Sequence, residues 1–389
     1  MDNKSRFIFI CIAVLFFSFL TSDTLAIPAL ARRYKISCST CHAPFPKLKE
    51  YGEEVAGNGF VILEEEKERD YVVAGDDLLW LNKEFPLSAR FDAYGLYDDT
   101  KGGEGTDLQT PWGVKLLSGG ALYKNIGYYF YFYMSERGEV AGVEDAYIHF
   151  NDVFNTPLDI MVGQFQTSDP LMKRELRLTF EDYQIYKTRP GQSSTNLTYD
   201  RGVMLVYGLE KTGTDLVALL VNGNGMPEGS FDQDKYKNVG LRLSQAVAEV
   251  LSVGGFVYRG KEDLGPQTNE ITYWGPDFNL AFGKLEVTGQ YLMRTDEATV
   301  GSGANQWTSK GETKGMVVEA IFAPQLDRSR WYLTGLYNRV ESDWKPSNYE
   351  TATLSYTYLM ARNLRLIAEF TRDIHHENNR LVFGFVSGF

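Results

Sequence analysis

Trp331-Tyr332-Leu333-Thr334-Gly335-Leu336-Tyr337-Asn338 and Thr351-Ala352-Thr353-Leu354-Ser355-Tyr356-Thr357-Tyr358 decide the fold class. In each, every second residue can face hydrocarbon while its neighbours face water, the period of two that a β-strand imposes. The same alternation sets Leu364, Leu366, Ala368 and Phe370 against Arg365, Glu369, Thr371 and Asp373. It also sets Leu285, Val287 and Tyr291 against Glu286, Thr288, Gln290 and Arg294. A soluble sandwich alternates too, but it turns its apolar face into a core, and connection lengths separate the two readings. About sixteen strands are expected, starting near Leu87, Trp112, Ile126, Val143, Leu158, Arg201, Thr214, Tyr236, Val250, Ile271, Leu285, Glu312, Arg330, Tyr349, Leu364 and Arg380. Tight connections at Tyr123-Lys124-Asn125, Glu210-Lys211-Thr212-Gly213, Ala248-Glu249, Gly283-Lys284 and Ala361-Arg362-Asn363 alternate with long polar ones such as 98–111, 222–235, 261–270 and 296–311. Short turns at one end, long loops at the other and an even strand count mark an all-β, antiparallel transmembrane β-barrel of about sixteen strands over 86–389.

The N-terminus carries a different signal. Lys4 and Arg6 precede the apolar run Phe7 to Leu20, and small residues follow at Thr24-Leu25-Ala26, so residues 1–26 read as a secretory signal peptide, too short for a stable span. Then comes Cys38-Ser39-Thr40-Cys41-His42. A Cys-x-x-Cys-His run attaches one covalent haem c: Cys38 and Cys41 bind the macrocycle through their thiols and His42 is the axial iron ligand. Of the three cysteines, Cys11 lies in the run expected to be removed, so the mature chain keeps only the two thiols that haem consumes. A thioredoxin-like redox pair, a structural disulfide or half a zinc site are the competing readings. The first lacks a βαβ pattern and the last lacks a second Cys/His pair.

Residues 27–85, the expected haem c segment, are about sixty in number, too few to wall in a haem easily by themselves. The segment is therefore expected in or against the barrel lumen. It contains no Met and no His besides His42, so a second axial ligand of the common types has to come from the barrel, with Met172 and His149 as candidates.

Several stretches resemble known families. The terminal Phe389, after Leu381, Phe383 and Phe385 on one strand face, resembles the signal by which bacterial outer-membrane barrels are recognised for insertion. The long connection from Thr167 to Tyr199 stands where sixteen-stranded porins fold a loop into the lumen, which would bring Lys173, Arg174 and Arg177 to a constriction. Gly163-Gln164-Phe165-Gln166 and Asp200-Arg201-Gly202-Val203-Met204 resemble the phosphate-selective porins. Leu30 to Ser37, the haem motif, Phe45-Pro46-Lys47-Leu48-Lys49-Glu50-Tyr51-Gly52 and Asn58-Gly59-Phe60 resemble the haem segment of outer-membrane monohaem cytochrome-porin fusions, whose best-known members are iron(II) oxidases. The resemblance implies a porin-like barrel in the outer membrane of a Gram-negative bacterium. It also implies electron transfer between an extracellular metal ion or redox partner and a periplasmic c-type cytochrome or other electron carrier; iron oxidation would make the chain an oxidoreductase. Uncharacterised exported monohaem proteins carry a similar motif, so the resemblance does not bring iron specificity with it. A passive porin for small solutes, with the haem segment as a plug, is the competing class.

The net charge of -12 and the acidic residues recurring in the long connections disfavour nucleic acid and favour cations. The same loops suit divalent cations bridging to lipopolysaccharide. His375-His376-Glu377 beside Asp373 has metal-ligand residue types, but adjacent histidines on an extended chain point apart. No phosphate loop, nucleophile triad or HExxH stands out.

Overall fold

A computed structural model describes residues 29–62, 71–72, 75–76, 78–79, 81–83, 85–99, 105–168, 172–209, 211–225, 232, 234–264, 267–298 and 310–389. The signal-peptide expectation and Cys11 lie outside the described residues. Sixteen strands form one closed antiparallel barrel: β1 (Leu87–Asp98), β2 (Gly105–Tyr123), β3 (Ile126–Glu136), β4 (Gly142–Phe150), β5 (Leu158–Gln166), β6 (Tyr199–Leu209), β7 (Thr214–Val221), β8 (Asn238–Ala248), β9 (Leu251–Asp263), β10 (Thr268–Phe282), β11 (Leu285–Asp296), β12 (Gly311–Phe322), β13 (Trp331–Ser342), β14 (Tyr349–Ala361), β15 (Leu364–Asp373) and β16 (Asn378–Gly388). Closure is by β16 on β1, from Arg380 opposite Asp98 to Gly388 opposite Arg90. The ladder is completed by Phe389 and Ala89, whose N–H groups donate to each other's carbonyls at 2.8 and 2.6 Å. A closed ladder leaves no edge strand, the condition for crossing hydrocarbon without helices. No helix among the described residues is long and apolar enough to cross a membrane.

Alternation builds the wall. Along β14, Thr351, Thr353, Ser355 and Thr357 are buried toward the lumen while Ala352, Leu354 and Tyr356 are exposed outward. Outward residues elsewhere include Leu205, Leu216, Leu220, Val239, Leu241, Leu243, Val253 and Val257, an apolar belt of the kind that meets lipid. At the turn end Trp331 sits 6.0 Å from both Phe322 and Tyr356, contributing to an aromatic girdle.

Strand starts expected at Leu87, Ile126, Leu158, Thr214, Leu285, Tyr349 and Leu364 are the observed ones. The second strand departs from expectation: it begins at Gly105, not near Trp112. Residues 105–111 are almost wholly exposed, and Gly105 to Gln109 pair with Tyr94 to Asp98 of β1, across a register shift between Asp92 and Tyr94. Water bathes both faces of this extension, so no two-sided alternation announces it. The connection expected over 261–270 is likewise shorter, since β9 runs on to Asp263 and β10 starts at Thr268.

The connection between β5 and β6 folds inward and spans the lumen. The N–H groups of Phe180 and Glu181 donate to Glu369 on β15 at 2.7 and 3.0 Å. Tyr183 donates its hydroxyl to Glu319 on β12 at 3.0 Å, and Ser194 donates to Glu262 on β9 at 2.9 Å. Fully buried Arg294 on β11 donates to the carbonyl of Thr195 at 2.8 Å and to the hydroxyls of Ser193 and Tyr273 at 2.6 and 2.7 Å. The Tyr183, Ile185, Tyr186 and Leu197 side chains join wall residues Leu219, Tyr258, Ile271 and Leu336 in the largest apolar cluster, so much of the core lies inside the barrel. Two cavities beside the loop measure about 10 and 20 Å³, each with room for about one water.

Candidate functional site: the haem-motif segment at the barrel mouth

Residues 29–62 lie across the turn end of the barrel. α1 (Ala29–Tyr34) is anchored to β1, where Ala29 N–H donates to Ser88 Oγ at 2.6 Å and Arg32 Nη2 to the Leu87 carbonyl at 2.5 Å. A 3₁₀ turn follows at Cys38–Thr40; Ser37 caps it, its hydroxyl accepting from Ser39 N–H at 3.3 Å. Ser is favoured there because its short hydroxyl satisfies an orphan N–H of the first turn. The amides of Cys41 and His42 both donate to the Cys38 carbonyl, at 3.3 and 2.9 Å. This winding puts positions i, i+3 and i+4 on one side of the turn, gathering the two thiols and the imidazole.

Both cysteines are free thiols, half-buried. Burial pushes each thiol pKa up, countered in part by a backbone hydrogen bond and Arg362 at Cys38 and by Lys49 at Cys41. His42 Nδ1 stands 2.9 Å from the Pro46 carbonyl oxygen. A carbonyl can only accept, so Nδ1 carries the proton and Nε2 keeps its lone pair, the tautomer a metal-binding imidazole needs. Burial lowers the His42 pKa, which keeps the ring neutral; the Pro46 hydrogen bond opposes this in part. A short hairpin fixes the ring, with Ala43 N–H donating to the Lys47 carbonyl at 3.1 Å and Lys49 N–H to the Cys41 carbonyl at 2.9 Å. This donor set fits a covalent haem c: two unpaired thiols at the required spacing and one oriented imidazole. Neither thiol is in a disulfide, and no group of three metal-ligand side chains exists among the described residues.

The barrel holds the segment on several sides. Phe45 meets His42 edge-on at 5.3 Å and packs into the cluster of Tyr94, Trp112, Val382 and Val386. Lys47 Nζ donates to both carboxylate oxygens of Glu286 on β11, at 3.0 and 2.9 Å, and Lys49 pairs with Asp327 at 2.9 Å. α2 (Glu50–Gly57) packs on the motif through Gly52, where a Cβ would collide with the Cys41 backbone. The turn Asn58-Gly59-Phe60 then docks on β2 to β4. Asn151 Nδ2 donates to the Asn58 carbonyl at 2.6 Å, Gly59 takes a left-handed φ of 65° against Gly127 and His149, and Phe60 stacks on Tyr129 at 4.5 Å.

The residues expected from sequence are distributed as follows. Cys38, Cys41 and His42 come together. His149 faces the lumen from β4, 2 % exposed, with no hydrogen-bond partner at either ring nitrogen. Met172 is buried in the lumenal apolar cluster, an ordinary packed side chain. Lys173 lies 3.7 Å from Asp145, Arg174 is held by Asp182 at 2.5 Å, and Arg177 stands 4.0 Å from the same Asp182, so each of the three charges at the expected constriction faces a carboxylate. His375 and His376 stack edge to face at 4.7 Å within a turn rather than pointing apart along an extended chain, and His376 Nδ1 is 2.9 Å from Asp373. Sequence reasoning missed Glu286, Asn151, Gly127 and Tyr129 as anchors; their only signal is lumen-facing parity near a tight turn.

No protein-family model and no curated protein matches the chain. Solved structures do match. An anion-selective porin from Comamonas acidovorans is similar with a TM-score of 0.57 at 12% identity, covering 79% of this chain and 99% of that one. Salmonella typhi OmpF, in complex with daunomycin, gives 0.56 at 11%, covering 78% and 98%. The outer-membrane channel DcaP of Acinetobacter baumannii gives 0.53 at 15%, covering 78% and 96%. These likenesses establish the porin fold of the barrel. They bear on neither haem nor electron transfer, and of the two functions expected from sequence the passive channel is the one they sit closer to.

Proposed function

We propose that this chain is an outer-membrane barrel that carries one covalent haem c at its periplasmic mouth and moves single electrons across the membrane. The observation that carries the reading is the motif's geometry: Cys38 and Cys41 unpaired, and His42 held by the Pro46 carbonyl with Nε2 free to ligate. When bound, haem c would supply a one-electron couple, taking an electron from an extracellular donor, iron(II) being the leading candidate, and returning it to a periplasmic c-type cytochrome or other carrier, or the reverse. The chain's own residues attach, orient and shield the group. Cys38 and Cys41 would tether it, His42 would ligate it, and Phe45 would hold His42 in place through its packing on the barrel. An apolar band about 25 Å tall is too thick for an electron to cross in one step, so a haem at the mouth would exchange electrons only with a donor or relay that reaches into the lumen. Of the two candidate second ligands His149 suits the role better, since both its nitrogens are buried without partners beside the docked segment, whereas Met172 is packed.

The second reading is a passive porin for small solutes with the N-terminal segment as a plug, and likeness to an anion-selective porin, OmpF and DcaP favours it. Haem staining of the denatured band, a reversible redox titration and planar-bilayer conductance on one preparation decide between them. Covalent haem lost in a Cys38→Ala, Cys41→Ala double variant, with a reversible one-electron wave, supports electron transfer. Staining unchanged in the double variant, or a haem-free protein with ohmic conductance, leaves the porin.

A further inference from the structure

We propose that the cavity of about 20 Å³ between the inward loop and the wall strands β1, β2 and β15 is a binding site for one small monovalent anion of the halide class. Arg90, Lys115 and Arg365 face it from the wall and Arg177 from the loop, against two carboxylates, Asp92 and Glu175. Those carboxylates are already engaged. Arg90 Nε donates to Asp92 at 2.9 Å, and Lys115 Nζ stands 3.1 Å from Asp92 and 3.9 Å from Glu175, which also accepts from the Tyr133 hydroxyl at 2.9 Å.

Arg177 and Arg365 are left undersupplied. Arg177 Nη1 donates to the Arg174 carbonyl at 2.6 Å and reaches Asp182 only at 4.0 Å; Arg365 Nη1 donates to the Leu178 carbonyl at 3.1 Å. The Nε–H of each is buried with no acceptor. A buried guanidinium donor without an acceptor is costly, and an excess of buried positive charge more so, unless an anion compensates it. A neutral water would fill the donors but leave the charge. The volume admits about one water-sized sphere, which excludes phosphate or a carboxylate-bearing solute. Because Arg177 and Thr179 belong to the loop and Arg90, Lys115 and Arg365 to the wall, the ion would pin the loop in the lumen. The site is separate from the haem motif and independent of the proposed electron transfer.

The test uses the full-length protein in detergent. Crystals grown in sodium bromide should show an anomalous peak within hydrogen-bonding distance of Arg177 Nε and Arg365 Nε. The unfolding midpoint should be higher in bromide or chloride than in gluconate, an anion too large to enter, at equal ionic strength, and Arg365→Gln should abolish that difference while the barrel stays heat-modifiable. A bromide-grown crystal with no anomalous density in the cavity overturns the proposal, as does a halide effect equal in Arg365→Gln. Should the variant fail to assemble, the bromide density in the unaltered protein decides alone.

Discussion

Replacing Gly59 with alanine should loosen the haem-motif segment from the barrel without disturbing the barrel itself. Gly59 sits at φ 65°, where an L side chain costs about 1–2 kcal/mol. Its new Cβ would stand 2.9 Å from His149 Cβ and 3.3 Å from Nδ1, and its carbonyl already rests on Gly127 so closely that a Cβ there would meet it at 2.1 Å. Overpacking of this kind costs about 1–3 kcal/mol. Together the two effects weaken docking by roughly 2–5 kcal/mol, and since 1.4 kcal/mol is about tenfold, the undocked population should rise by about 30-fold or more. Native-state hydrogen exchange of the full-length protein reads this directly, at the amides of Asn58, Gly59, Phe60 and Val61, all of which donate within the segment. Gly127→Ala should give the same result from the barrel side. Gly57→Ala is the control, because a Cβ there meets nothing and the position is helical, so it should be neutral or stabilise by about 0.5–1 kcal/mol. Exchange in Gly59→Ala as slow as in the parent protein, with Gly57→Ala no different, would refute the docking argument.

Three other outcomes are expected. Deleting Phe389 removes both hydrogen bonds it exchanges with Ala89 where the barrel closes, so the fraction of heat-modifiable protein in detergent gels should fall; full assembly would count against the closure argument. Arg294→Ala strips a fully buried cation from Asp296 and frees Ser193 and Thr195, at about 3–5 kcal/mol, and bilayer recordings should then show larger or noisier conductance than the parent protein; identical traces would show that the loop is held by other contacts. A double-mutant cycle on Lys47 and Glu286, a partly exposed pair, should give a coupling of at most about 1 kcal/mol that shrinks in high salt; a larger, salt-insensitive coupling would mean the pair is effectively desolvated.

The barrel could be read from the sequence because its rule is local. Each residue of β14 faces lipid or lumen by parity alone, so Thr351, Thr353, Ser355 and Thr357 separate from Leu354 and Tyr356 without knowledge of any partner strand. Where the wall leaves the membrane the rule lapses, and the outer half of β2, Gly105 to Pro111, went unread. The clustering of Cys38, Cys41 and His42 was legible for a similar reason: five consecutive residues and one turn bring them together. What surrounds them depends on residues far apart in the chain. Glu286 reaches Lys47 across 239 positions and Asn151 reaches Asn58 across 93, contacts that exist only because the barrel closes and brings its turns to one mouth. The lumenal cavity of Arg90, Lys115, Glu175, Arg177 and Arg365 is decided the same way: closure fixes which wall positions converge, and the inward loop fixes which charges they meet. Side-chain parity is a property of a few neighbouring residues, whereas convergence is a property of the closed ring, and no local pattern encodes it.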